Sequence, residues 1–71
     1  MVTIGRLLRE GAEKLLEADI PTPGLDAEVL LYNLLSVERI YLHMYREKEV
    51  SEEIQKKFWI GIEKRAKHMP I

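Results

Sequence analysis

Ser36, Ser51, His43 and His68 are the side chains in this 71-residue chain best suited to nucleophile–base chemistry. A hydroxyl nucleophile needs a base within hydrogen-bond reach and a third group to orient that base. Both serines, however, stand just before helical apolar patterns, where a hydroxyl satisfies unpaired backbone N–H groups. Both are therefore read as helix N-caps. The histidines fall in different expected helices, and neither has a carboxylate at ligand spacing. A metal centre needs three or four convergent ligands, so these imidazoles read as surface or partly buried side chains. Asp26 and Glu28 are separated by one residue and point to different faces of a helix, which makes them a poor acid–base pair. The simplest role for Asp26 is first-turn electrostatics; the alternative is that it anchors a corner against an arginine. Gly5, Gly11, Gly24 and Gly61 are isolated, and none belongs to a Gly-x-Gly-x-x-Gly phosphate cradle. No cysteine is present, so disulfides and thiolate chemistry are out, and a reducing compartment fits. No catalytic, cofactor-binding or metal-ligating residue is assigned, and no residue is assigned to a protein substrate.

Recognition of another macromolecule is the next possibility. Net charge is −1 with 32% charged residues, and the two signs alternate along the chain. Nucleic-acid binding usually leaves a basic patch, and a helix-turn-helix reading offers a groove only Arg39 and His43. Tyr32, Tyr41, Tyr45, Phe58 and Trp59 read as core aromatics with polar tips at the rim, not as base-stacking platforms. Trp59 is placed at the core edge, with a partner-contact anchor as the alternative. The opening Met-Val-Thr-Ile-Gly has no signal-peptide core, and no apolar run has membrane-spanning length. The expectation is a cytoplasmic module without nucleic-acid or membrane partners.

The helices that hold these residues are well punctuated. Ile4, Leu7, Leu8, Gly11, Ala12, Leu15 and Leu16 recur at three- and four-residue steps, predicting a first helix over Thr3 to Ala18 with Thr3 as its cap. Glu10 and Lys14 form an i,i+4 pair on its outer face. Gly11 weakens this helix unless a neighbour approaches closely there. Pro21 ends the segment, Thr22 is placed as the next N-cap, and Pro23 fits the first helical position. The second helix, about Pro23 to Leu35, buries Ala27, Leu30, Leu31, Leu34 and Leu35 and should lie at the centre. A short third helix over Val37 to Met44 would start at Ser36 and bury Ile40, Leu42 and Met44. Ile40 to Tyr45 is also the one ambiguous strand candidate. Arg46 to Glu49 is a charged loop. Ser51, Glu52 and Glu53 open a last helix whose inner face carries Ile54, Phe58, Ile62 and Ala66. A chain this short buries only about 60% of its unfolded surface, which favours an all-α bundle of four helices, or five if the last divides, with no β-sheet. By these residues alone, it is a helical interaction domain.

The run Pro21-Thr22-Pro23-Gly24-Leu25-Asp26-Ala27-Glu28-Val29-Leu30-Leu31 resembles the N-terminal domain of the HemK/PrmC family, the release factor glutamine methyltransferases. The Thr-Ile-Gly-Arg-Leu-Leu-Arg-Glu opening, the Leu-Leu-Ser break, Leu42, Ser51-Glu52-Glu53 and the closing Lys64-Arg65-Ala66-Lys67-His68-Met69-Pro70-Ile71 extend the likeness across the chain. Ser36 departs from the family pattern, where Gly is common, and Met69 stands where Glu is common. The resemblance implies a parent that uses S-adenosylmethionine to methylate the glutamine of the Gly-Gly-Gln motif in class-I peptide release factors. It further implies that residues 1–69 recognise the release factor, and that 70–71 begin a linker to a C-terminal catalytic domain. The family's Asn-Pro-Pro-Tyr motif and Gly-rich loop are not in this sequence, so the fragment alone is expected to be inactive. A free-standing helical adaptor with a wide apolar groove is the rival expectation.

Overall fold

A computed structural model describes residues 1–67 and contains four helices: α1 (Ile4–Glu17), α2 (Pro23–Leu35), α3 (Arg39–Met44) and α4 (Glu52–Ala66). The all-α expectation holds, and α4 runs unbroken. Among the described residues the only β-type pairing is one isolated antiparallel bridge, Thr3 to Glu49. The expected 69/70 domain boundary and His68 lie outside the described residues.

The start of α1 is closed by two devices. Thr3 sits in extended backbone and its Oγ1 accepts from the Arg6 N–H at 3.2 Å. The Ile4 and Gly5 N–H groups instead donate to the carbonyls of Lys48 (3.0 Å) and Arg46 (2.8 Å), and Leu7 N–H returns to Thr3 O. The amides of Ile4, Gly5 and Arg6, which have no partner inside the helix, are thus satisfied. A further bond from Val50 N–H to Val2 O, 2.8 Å, clasps the charged loop across the beginning of the chain.

Both α1 and α2 end on a left-handed residue. Asp19 has φ 62, and the amides of Asp19 and Ile20 donate to Leu16 O and Leu15 O. Leu15 and Ile20, the apolar pair that this motif brings together, are both in the core. At the end of α2, Ser36 has φ 57 and ψ 45, with Ser36 N–H on Asn33 O and Val37 N–H on Tyr32 O. Ser36 therefore terminates α2 and does not cap α3, contrary to expectation. Because the Val37 amide is committed backwards to Tyr32, the third helix starts only at Arg39, with Glu38 at its N-cap position. The segment Ile40 to Tyr45 is helical through Met44 and forms no strand.

One core joins all four helices. Ile4, Leu7, Leu8 and Leu15 enter it from α1, Ala27 and Leu31 from α2, Leu42 from α3, and Phe58 and Ile62 from α4. Both α1 and α2 pack on every other helix, while α3 touches these two but not α4. Two glycines set the closest approaches. A Cβ on Gly11 would fall 2.6 Å from Phe58 Cζ, and one on Gly61 would fall 2.8 Å from Leu30 Cδ2. Three expectations change on packing: Leu16, Ile40 and Met44 are exposed. Val50, for which nothing was expected, is buried. No helix among the described residues is long and apolar enough to cross a membrane.

Candidate interaction surface

Among the described residues Asp26 is the one buried charged residue, 8% exposed. It sits in the first turn of α2, where its carboxylate meets the helix's positive end. The Thr22 hydroxyl donates to Oδ1 at 3.2 Å, and Arg65 Nε donates to Oδ2 at 2.8 Å. Thr22 holds the N-cap position as expected, but its side chain makes no cap bond to the backbone. The Asp26–Arg65 pair ties the first turn of α2 to the last turn of α4 and bears out the anchoring alternative.

Glu28 serves a different partner set. Its side chain, 14% exposed, receives Arg39 Nε on Oε1 at 2.8 Å and lies 3.2 Å from His43 Nε2 through Oε2. Both partners belong to α3, so this carboxylate holds the short helix against α2. The structure thus sends Asp26 and Glu28 to separate structural pairs. It leaves Ser51 capping α4 through the Ile54 N–H and Ser36 at the end of α2. Among the described residues no cluster of three His, Cys, Asp or Glu side chains could hold a metal.

The outward faces of α1 and α4 carry exposed ion pairs. On α1, Arg6 pairs with Glu10 at 3.0 Å and Arg9 with Glu13 at 3.9 Å. Glu10 therefore turns towards Arg6, and not towards Lys14 as the spacing suggested. On α4, Lys57 pairs with Glu53 at 3.3 Å. Exposed pairs of this kind contribute only about 0.3–0.5 kcal/mol each, so a partner can displace them at small cost.

The outer side of α4 offers more. Glu52, Gln55, Lys56, Trp59 and Ile60 line a shallow hollow. The Trp59 ring is half-buried and stands edge-on to Phe58, with centroids 5.3 Å apart and planes at 76°. A core aromatic therefore fixes the indole in place, while Ile60 beside it is 54% exposed. A pre-set aromatic with an apolar neighbour and a charged rim is the usual chemistry of an interface anchor. Sequence periodicity placed Trp59 at the core edge but gave no sign that Ile60 would stand in the open next to it.

On α3 and the loop after it, the Tyr41 and Tyr45 rings lie with centroids 4.5 Å apart and planes tilted by 37°, and Lys48 Nζ donates to the Tyr41 hydroxyl at 2.9 Å. That hydrogen bond, more than the nearby tyrosine charges, holds the Lys48 ammonium above its ordinary value. This cluster fastens the loop to α3.

The sequence pattern of the PrmC N-terminal domain matches residues 6–71. The chain is similar to the release factor glutamine methyltransferase of Deinococcus radiodurans, 29% identical over 65 residues, covering 92% of this chain and 23% of that protein. It is also similar to the release factor glutamine methyltransferase of Leptospira interrogans, 34% identical over 64 residues, covering 90% of this chain and 22% of that protein. The chain thus spans less than a quarter of the length of these relatives. No solved structure matches it.

Proposed function

This chain belongs to the PrmC N-terminal domain family, and from that membership we propose that it is the substrate-gripping part of a longer protein-(glutamine-N5) methyltransferase. The substrate is a class-I peptide release factor, and the methyl donor is S-adenosylmethionine. The observation that carries this reading is the family match over residues 6–71, joined to relatives named as release factor glutamine methyltransferases.

The described residues do not fit the methyl donor. The space beside Gly11 and Gly61 is filled by Phe58 and Leu30, so neither glycine opens onto a cradle for a nucleoside. The donor, and the transfer itself, belong to polypeptide following residue 71, with 70–71 as the start of the linker. What this chain supplies is a second hold on a large substrate. A release factor fixed at one point presents its glutamine loop to a distant centre at a raised effective concentration and with fewer orientations to lose. The Trp59–Ile60 hollow is the natural place for that hold, because its anchor is already ordered before binding. It is drawn from one helix over a closed core, which argues against the adaptor reading and its wide groove.

The test compares release-factor methylation by the longer enzyme with and without residues 1–71. Deletion should lower kcat/KM at least ten-fold, about 1.4 kcal/mol or more of transition-state stabilisation. Ile60→Glu, at an exposed position, should weaken release-factor binding several-fold while leaving the circular dichroism spectrum unchanged. Equal affinity and turnover on deletion would falsify the gripping role.

A further inference from the structure

One end of the bundle gathers the close of α1, the start of α2 and the close of α4. The α1–α2 connection, residues 18–22, turns there. Arg65 reaches Asp26 there at 2.8 Å, and Lys14, Glu63, Ala66 and Lys67 line one hollow between α1 and α4. Two large apolar side chains are left uncovered at this end. Leu16 is 63% exposed and Leu25 is 45% exposed, one on each side of the turn. Beside Leu25, a Cβ on Gly24 would meet nothing within 4 Å. The corner is also stiff: Pro21 and Pro23 limit its backbone, and the Asp26–Arg65 pair braces it from below.

We propose that this corner, with Leu16 and Leu25 as its apolar contacts, is the docking face for the polypeptide that follows α4 in the longer protein. The proposal rests on the reading above that such polypeptide exists. The matched relatives are more than four times the length of the matched segment, so a large body of chain adjoins this fold in them. In this chain α4 closes at Ala66, which shares a hollow with Lys14, two residues before Leu16, and Arg65 beside it reaches Asp26, the neighbour of Leu25. The assignment also separates two surfaces. The Trp59–Ile60 hollow lies further up α4 and stays free for the substrate, while the corner faces the enzyme's own remainder. The Asp26–Arg65 pair then acts as a positioning element, since it fixes the direction in which the chain leaves α4 relative to the face on which it folds back.

Hydroxyl-radical footprinting of the longer enzyme and of the 71-residue chain tests this directly. Labelling of Leu16 and Leu25 should fall several-fold in the longer protein, while that of Ile40 and Met44, exposed on α3, should not change. The double variant Leu16→Glu, Leu25→Glu should enlarge the radius of gyration of the longer enzyme in small-angle scattering and leave the melting temperature of the 71-residue chain unaltered. Equal labelling of the two leucines in both proteins would overturn the docking face. So would loss of labelling with rising concentration of the 71-residue chain, because a second copy would then be the occupant. A longer enzyme that requires residues 1–71 for turnover but labels the leucines fully would sink this inference alone and leave the gripping role intact.

Discussion

At Gly11 a single hydrogen stands where any other side chain would drive a carbon into Phe58. Gly11→Ala gains about 1 kcal/mol of helix propensity. It loses more by displacing a ring that is fully buried, and overpacking of this kind costs about 1–3 kcal/mol. Net destabilisation in urea unfolding is the expected result. Ser36 presents the opposite case. Its left-handed backbone costs a residue with a Cβ about 1–2 kcal/mol, so Ser36→Gly should raise stability by roughly 0.5–1 kcal/mol, and Ser36→Val should lower it. Both glycine positions, the one present and the one replaced, were visible in the sequence. Gly11 stood out as a helix-weakening residue on an apolar stripe, and Ser36 as the family's common Gly made serine. What one-dimensional periodicity lacked was the assignment of Ser36, because hydroxyl residues suit both the start of a helix and the break before it. The contest is decided by the Val37 amide, whose partner Tyr32 is known only once α2 is built. Asp26 is similar: its charge was explicable locally, while its partner Arg65 lies on another helix. A double-mutant cycle of Asp26→Asn and Arg65→Gln should give a coupling of about 1–2 kcal/mol, between the values for exposed and fully buried pairs.

Helices differ in how much of their stability is their own. The 14 residues of α1 and the 15 of α4 carry side-chain caps, and α4 adds charges matched to its dipole at both ends. With six residues, α3 is far below the length that persists alone in water. It is held by Leu42 in the core, by the hydrogen bond that Glu28 receives from Arg39, and by the His43 imidazole packed 3.2 Å from the same carboxylate. Glu28→Ala should therefore speed amide exchange across α3 well before it affects α1 or α4, since weakly packed elements open locally. Element type was legible wherever apolar residues kept a helical period for three turns. The third helix was misjudged in its start and in its contacts, as Ile40 and Met44 point to solvent. A two-turn segment holds too few apolar residues for its period to reveal which of them face inward. Val50 escaped notice for a related reason: it follows four charged residues, and only the return of the loop onto α1 buries it.

The whole molecule is one cooperative unit, because Phe58 and its neighbours are shared by helices from both ends of the sequence. The Cα radius of gyration, 11.0 Å, equals the value of about 11 Å expected for a folded chain of this length. Total stability for such a chain is about 4–10 kcal/mol, and Phe58→Ala removes about 3–5 kcal/mol of it. That variant should lose most of its folded population near 37 °C in a single transition, with near- and far-ultraviolet circular dichroism changing together. The bonds that run from Ile4 and Gly5 to Arg46 and Lys48, and from Val50 to Val2, tie the extreme amino end to a stretch more than forty residues away. Trimming Met1 to Thr3, a change that looks harmless on paper, would strip Val50 of its amide acceptor and Arg6 of its hydroxyl. A purification handle fused there should be followed by a spacer long enough to leave Val2 in register, or the fastening it interrupts will come loose at residues 46–50 and not at the graft.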